Sequence, residues 1–309
     1  MRCIGIDVAK DTLAVFIPDK EYLNVKNNLV GFRKILRKLK EDDVIGVEST
    51  SNYHHHLAKF FLEKEFIVKE LNPILTKQMI RATIRKKKTD KTDSKIISLL
   101  LKQGEGHLLT LEGLSNKVQK VSRVRRKLIQ MRTSLKLQLS SLEKGIVVVK
   151  ELEKSIKSLI KKYDKEIEKL EKEILKQETK ETKILESIPG ISAQLARAII
   201  SEIGDVKRFS SKRKIVAFAG YDPKLSESGT SINRSGKLTK RGSPHLRCSL
   251  YYAAFVNTRF NNTFSNYYQK KRKEGKHFIQ AVVATSRKIL EVSYALLKKG
   301  ECYQEQFTS

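Results

Sequence analysis

Residues 3–17, CIGIDVAKDTLAVFI, decide how this chain is read. Two apolar runs on either side of a turn at Lys10-Asp11 read as strands, and the first of them closes on Asp7. Farther on, Val44-Ile45-Gly46-Val47 is another apolar run that closes on an acid, Glu48. Asp90 and Asp93 stand three apart in KTDKTDSK, a spacing that puts both on one face of a helix. Carboxylates gathered this way repel one another. At ~4 Å and an effective dielectric of about 20, each pair costs roughly 4 kcal/mol. The cluster therefore calls for a cation, and hard oxygen ligands suit Mg²⁺ or Mn²⁺. The matching reaction is metal-assisted attack on a phosphodiester.

The surrounding pattern supplies a frame for these acids. EYLNVK reads as a third strand and VGFRKILRKLKE as a helix, followed by strand DVIGVES, helix NYHHHLAKFFLEKE, strand FIVKELN and helical material from about Ile74. That order is the order of an RNase H-like α/β domain, here residues 1–110. Such a domain carries its first acid on the first strand, the second on the fourth and the last on a closing helix. Asp7, Glu48, Asp90 and Asp93 fall at those stations, which the apolar patterning fixes independently of the acids.

Charge identifies the class of partner. The chain has 309 residues with 63 Lys+Arg against 34 Asp+Glu, a formal net charge of +29. The basic residues run along the whole length, and such an excess binds polyanions by releasing condensed counterions. Cys3, Cys248 and Cys302 are isolated, without metal-ligand spacing, which fits a reduced cytoplasm. There is no opening signal sequence and no long apolar run, so the expectation is a cytoplasmic, nucleoid-associated protein and no membrane.

Past the first domain the composition changes. Residues 111–183 lack proline, and Leu152, Ile156, Leu159, Ile160, Ile167, Leu170 and Ile174 recur at three or four residues. This is a coiled-coil-like stripe on two long helices, with a hairpin tip near Lys144-Gly145, and it reads as a dimerisation or spacer arm. Residues 184–309 are mostly helical. LESIPGISAQLARAIISEIG has the form helix, turn, helix, and the amides around Gly190 with the next helix N-terminus can hold a phosphate. SESGTSINRSGKLTKRGSPHLR packs Ser, Gly and cations into a loop, then opens a helix with Ser243 as N-cap and Pro244 as first residue. Lys237, Lys240 and Arg241 precede that N-terminus, and Arg247 follows within it, so charge and helix dipole together favour an anion.

GIDVAKDTL, GVESTSNY, KTDKTDSK, SIPGI, FAGYDP, SESGTS and KRGSPHLR, in this order, resemble the DEDD transposases of the IS-one-ten insertion-sequence group, relatives of the Piv DNA invertase. The resemblance spans roughly Arg2 to Phe255. It implies a RuvC-like first domain whose acids match Asp7, Glu48, Asp90 and Asp93, and a transposase domain whose catalytic serine matches Ser228, followed by Gly229. It further implies a covalent phosphoserine link to DNA, and a structured bridge RNA that pairs with donor and target DNA. Ser94 stands where a small apolar residue is usual in that group.

Read from the residues alone, Ser226, Ser231 and Ser235 share the loop and chemistry of Ser228, and all four suit turn hydrogen bonds as well. The expected assembly is a homodimer or homotetramer. A RuvC-like nuclease using metal-activated water is the alternative enzyme, and a metal-free nucleic-acid-binding assembly protein the non-enzymatic one. His54-His55-His56 cannot cap one ion from one helix, because successive helical residues point in different directions. Tyr251 and Tyr252 could be nucleophiles of a tyrosine recombinase, but the Arg/His set of that chemistry is not recognisable, and they read better as helix packing against the loop. Tyr53 suits either the edge of the metal site or the core.

Overall fold

The structure, a computed structural model, describes residues 1–18, 21–48, 53–82, 89–145, 149–223, 238–260 and 262–305. They form two compact units, Met1–Ser115 and Asn116–Ser309.

The first unit follows the expected order. Strands β1 (Cys3–Val8), β2 (Thr12–Ile17) and β3 (Glu21–Lys26) lead to helix α1 (Leu29–Leu36). Then come β4 (Val44–Glu48), α2 (His54–Leu62), β5 (Ile67–Leu71), α3 (Pro73–Ala82), α4 (Asp90–Lys102), β6 (His107–Leu108) and α5 (Leu111–Leu114). The sheet order is β3-β2-β1-β4-β5-β6, with β1, β4 and β5 parallel and the outer strands antiparallel to their neighbours. Strand alternation splits the side chains between two cores. Ile4, Ile6, Val15, Ile45 and Val47 pack with Leu57 and Phe61 of α2, while Val44 and Leu71 pack with Ile96, Ile97 and Leu101 of α4.

Two glycines set the depth of α4. Gly5 and Gly46 are direct partners across β1 and β4. A Cβ on Gly5 would collide with the Ser94 carbonyl oxygen and stand 2.6 Å from the Ser98 amide nitrogen, and one on Gly46 would stand 2.5 Å from Leu101 Cδ1. The helix backbone thus rests on the bare strand backbone, and Ser98 Oγ fastens it there by donating to the Cys3 carbonyl at 2.6 Å. Ser94 is fully buried at this contact, which explains why only a small side chain serves.

The second unit is helical throughout its described residues: α6 (Lys117–Glu143), α7 (Lys150–Leu175), α8 (Lys180–Glu186), α9 (Ala193–Ile203), α10 (Lys212–Ala219), α11 (Pro244–Asn257), α12 (Thr263–Lys273) and α13 (Phe278–Lys299), with a 3₁₀ turn at Val206–Arg208. Helices α6 and α7 form the expected antiparallel pair, tied by Arg125–Glu171 and Arg132–Asp164. The seam on α7 consists of Ile156, Ile160, Ile167 and Ile174, with Tyr163 and Leu170 half-buried between them. Leu152 and Leu159 belong to the sequence stripe but stand one residue off this seam. One residue turns a helix by about 100°, and both are exposed. The helices from α8 onward enclose a separate core around Leu185, Ile199, Leu250 and Ile289.

Candidate active site

The β1–β4 register runs Gly5 to Gly46 and Ile6 to Val47, so Asp7 and Glu48 come next, side by side at the ends of two adjacent parallel strands. Each acid lies two residues beyond its glycine, hence on the side of the sheet that α4 covers. Asp90 and Asp93 occupy the first turn of α4, where the helix dipole favours negative charge. Thr89 caps that turn through its hydroxyl, 3.2 Å from the Thr92 amide. Asp93 is buried and Asp90 exposed.

Electrostatics tie the four together. Burial first, and then the charges of Asp93, Glu48 and Asp90, together push the Asp7 carboxyl up to about 6 against a lowering hydrogen bond from Val8. Among the described residues no three His, Cys, Asp or Glu converge closely enough to enclose an ion. The acids face one another at Coulombic range without meeting at one point. Their chemistry fits a hard divalent cation: the donors are all carboxylates, and a positive charge among them relieves the strain on Asp7.

Two residues join the site that sequence reasoning missed. Thr76 of α3 is buried, and its hydroxyl lies 3.0 Å from Glu48 Oε2 and 3.0 Å from the Pro73 carbonyl oxygen. It can therefore hold the Glu48 carboxylate in one orientation. Tyr22 of β3 borders the acids from the other direction, its hydroxyl pushed up by burial and then by Asp90 and Asp7. Lys91 Nζ lies over the Tyr22 ring, 5.6 Å from its centre. Neither residue carries a spacing signal, because both reach the site through tertiary contact.

The histidines lie elsewhere. His54 is buried, His55 half-buried and His56 exposed, so the three point apart as their helix requires. His54 Nε2 lies 3.2 Å from Glu70 Oε1. Burial raises the Glu70 carboxyl, but His54, His107 and His55 outweigh it and hold the group below its ordinary value. Glu70 pairs with Val47, which places it on the opposite side of the sheet from Glu48. Tyr53 is exposed.

In the second unit Ser243 caps α11, accepting from the His245 and Leu246 amides at 3.2 Å, with Pro244 behind it. Ser243 Oγ also donates to Glu202 Oε2 at 2.8 Å, and Arg123 of α6 grips the same carboxylate through Nε at 2.7 Å and its terminal nitrogen at 2.9 Å. Arg126 reaches His245 Nδ1 at 3.1 Å. Burial lowers the affinity of His245 for a proton, and Arg123 and Arg126 lower it further against the opposing charge of Glu202. Arg247 donates to the carbonyls of Ala219 and Gly242, buttressing the chain just before the helix. Lys240 sits at φ +52°, its amide donating to Gly220, and Arg241 is exposed. Pro223 and Leu238 pair as an isolated bridge. Ser226, Ser228, Gly229, Ser231, Ser235 and Lys237 lie outside the described residues. Gly190, at φ +81°, faces Asn257, whose Nδ2 donates to the Pro189 carbonyl at 2.6 Å and so holds the turn against α11.

Among the described residues no helix is long and apolar enough to cross a membrane. Residues 4–148 match the DEDD-type model of the IS110 transposases, and residues 182–269 match the model described as Transposase IS116/IS110/IS902 family. Pilin gene-inverting proteins of Moraxella bovis and Moraxella lacunata are each 24% identical to the chain over 98% of both lengths. The transposase for insertion sequence element IS1111A of Coxiella burnetii is 30% identical over 39% of this chain and 34% of its own. The DEDD domain implies the use of a divalent metal. Matched in both of its parts, the chain belongs to the IS110/IS116/IS902 family of transposases, enzymes of DNA strand transfer.

Proposed function

We propose that this transposase cleaves and exchanges DNA strands using Mg²⁺ or Mn²⁺ held by Asp7, Glu48, Asp90 and Asp93, with Ser228 as nucleophile. The observation that carries the metal half is Asp7, pushed up to about 6 by burial and by the other three acids. When bound, the metal polarises the phosphodiester oxygens. Asp7 and Glu48 hold their places from neighbouring strand ends, and Thr76 orients Glu48. The Ser228 oxygen forms a bond to phosphorus as the bond from phosphorus to a deoxyribose oxygen breaks. The serine proton leaves to solvent, and the departing oxygen takes up a proton in turn. A hydroxyl of another DNA strand then reverses the step and frees the serine. Lys237, Lys240 and Arg241 supply charge to the crowded phosphate, and Gly229 lets the backbone come close.

The division of labour follows residues 1–110 for metal, 111–183 for the arm and 184–309 for the serine. A structured bridge RNA pairs with donor and target DNA. The family resemblance supports this, as does a net charge of +29. The chain works as a homodimer or homotetramer, supported by the exposed Leu152 and Leu159 along the arm. The test is a denaturing gel of labelled DNA incubated with protein, Mg²⁺ and RNA transcribed from the sequence flanking the gene. Wild type gives a covalent adduct and Ser228→Ala gives none. Cleavage by wild type without any adduct overturns the serine and leaves water as the nucleophile.

A further inference from the structure

We propose that the outer face of α11, continued by the first residues of α13, is a stacking surface for the bases of single-stranded DNA. Helix α11 buries Leu250, Ala253 and Ala254, packs Tyr251 and Phe255 half-buried against the same core, and turns the Tyr252 ring outward. Tyr252 is 53% exposed, Val256 one turn later is 37% exposed, and Phe260 in the following turn is 58% exposed. Phe278 and Ile279 open α13 at 40% and 64% exposure. The Phe278 ring centre lies 6.2 Å from that of Phe255 on α11, so the two stretches adjoin. Arg259 stands over this face, its guanidinium carbon 4.9 Å from the Phe255 ring centre.

Apolar groups left facing water in a group mark a contact surface, and charge names the occupant. From Lys240 to Leu290 the sequence has a single carboxylate side chain, Glu274, beside Arg259, Lys270, Arg272, Lys273 and Lys276. Glu305 reaches the Thr263 amide from outside this stretch, yet these cations still outnumber carboxylates five to two, and aromatic faces in such a setting suit a polyanion that also offers flat apolar rings. Unpaired nucleic acid does so, because every base has a free π face, whereas a duplex hides those faces within its stack. The choice of DNA rests on the strand-transfer reading, since exchanging strands between duplexes passes through unpaired bases.

The chain contains no tryptophan, so Tyr252→Trp introduces a single reporter ring on this face. The full-length variant is titrated in EDTA, where no cleavage interferes, with an oligothymidylate and with a blunt duplex of the same length. Stacking should quench about half of its emission with the single strand and very little with the duplex. Tyr252→Ala and Phe260→Ala, with circular dichroism unchanged, should weaken single-strand binding about tenfold and leave duplex affinity alone. Equal quenching by both ligands, or none while anisotropy reports single-strand binding, overturns the proposal. Quenching by oligouridylate but not by oligothymidylate reassigns the face to RNA and also overturns it. So does a smaller sedimenting species for Tyr252→Ala at unchanged single-strand affinity, which would make the face a contact between copies. The transposase reading is separate: loss of duplex binding by wild type would count against it, and absence of quenching would not.

Discussion

Gly5 and Ser94 meet backbone to backbone: the glycine has no Cβ, and the place a Cβ would occupy is filled by the Ser94 carbonyl oxygen. Ser94 follows Asp93 directly, so this contact fixes how near the helical acids come to the strand acids. Gly5→Ala should lift α4 and destabilise the fold by ~1–3 kcal/mol, the usual cost of overpacking. Metal-dependent cleavage should fall by more than stability alone explains. Urea unfolding together with a Mg²⁺ titration of cleavage checks both halves, and unchanged cleavage in a destabilised protein would break the link.

Thr76 touches Glu48 through its hydroxyl. Thr76→Val keeps the shape and removes the hydroxyl, so Glu48 loses its orienting bond. Outer contacts of this kind typically change metal affinity about 10–100-fold. The expected result is a higher Mg²⁺ concentration for half-maximal cleavage, with near-normal cleavage once metal saturates. Thr76→Ser should restore the wild-type titration. A failure of Ser to rescue would point to packing instead.

Asp7 makes stability depend on pH in a definite direction. Its carboxyl rises from an ordinary 3.8 to about 6 on folding, so between those values the folded chain holds more protons than the unfolded one. Stability contributed by this group is therefore present at low pH and lost as pH rises through the window from about 4 to about 6. In EDTA at neutral pH, Asp7→Asn should stabilise the protein by on the order of 1–3 kcal/mol, less than full conversion because the group is partly solvated. Mg²⁺ should raise the melting temperature of wild type and leave Asp7→Asn nearly unmoved. Parallel pH dependences of the two proteins in EDTA would contradict the assignment.

Cleavage and binding should separate cleanly. Glu48→Ala and Asp90→Asn each remove one of the proposed metal ligands, whereas the proposed source of DNA affinity is the Lys and Arg distributed along the chain. Gel shifts of both variants should match wild type within about twofold, while cleavage in Mg²⁺ disappears. Near-normal turnover by either variant would remove that residue from the proposed metal set.

Much of the first unit was legible in its apolar runs. Asp7 and Glu48 each close a buried strand, and Thr89 before Asp90 is a cap that a reader can find. The pairing of Gly5 with Gly46 carried a signal too, since each glycine precedes its acid by two residues and so shares its side of the strand. Other features had no local signature. Strand β6 has two residues and no apolar run, and Thr76 gains its meaning only when α3 folds against β4. The arm's stripe was read as one band because spacings of three and four look alike until a partner helix selects the seam. That selection buries Ile156, Ile160, Ile167 and Ile174 and leaves Leu152 and Leu159 outside. The serine loop, residues 224–237, falls outside the described residues, so its reading still rests on sequence.

Glu202 has two carboxylate oxygens and two mechanical duties. One oxygen is clasped by Arg123, near the root of the α6–α7 arm, and the other is shared between that arginine and the hydroxyl of Ser243, which starts α11. A single side chain thus joins the arm to the first turn of the helix that follows the serine loop. Arg123, Glu202 and Ser243 form a continuous chain of hydrogen bonds between the two helices. The junction ties the base of the arm and the first turn of α11 to one carboxylate.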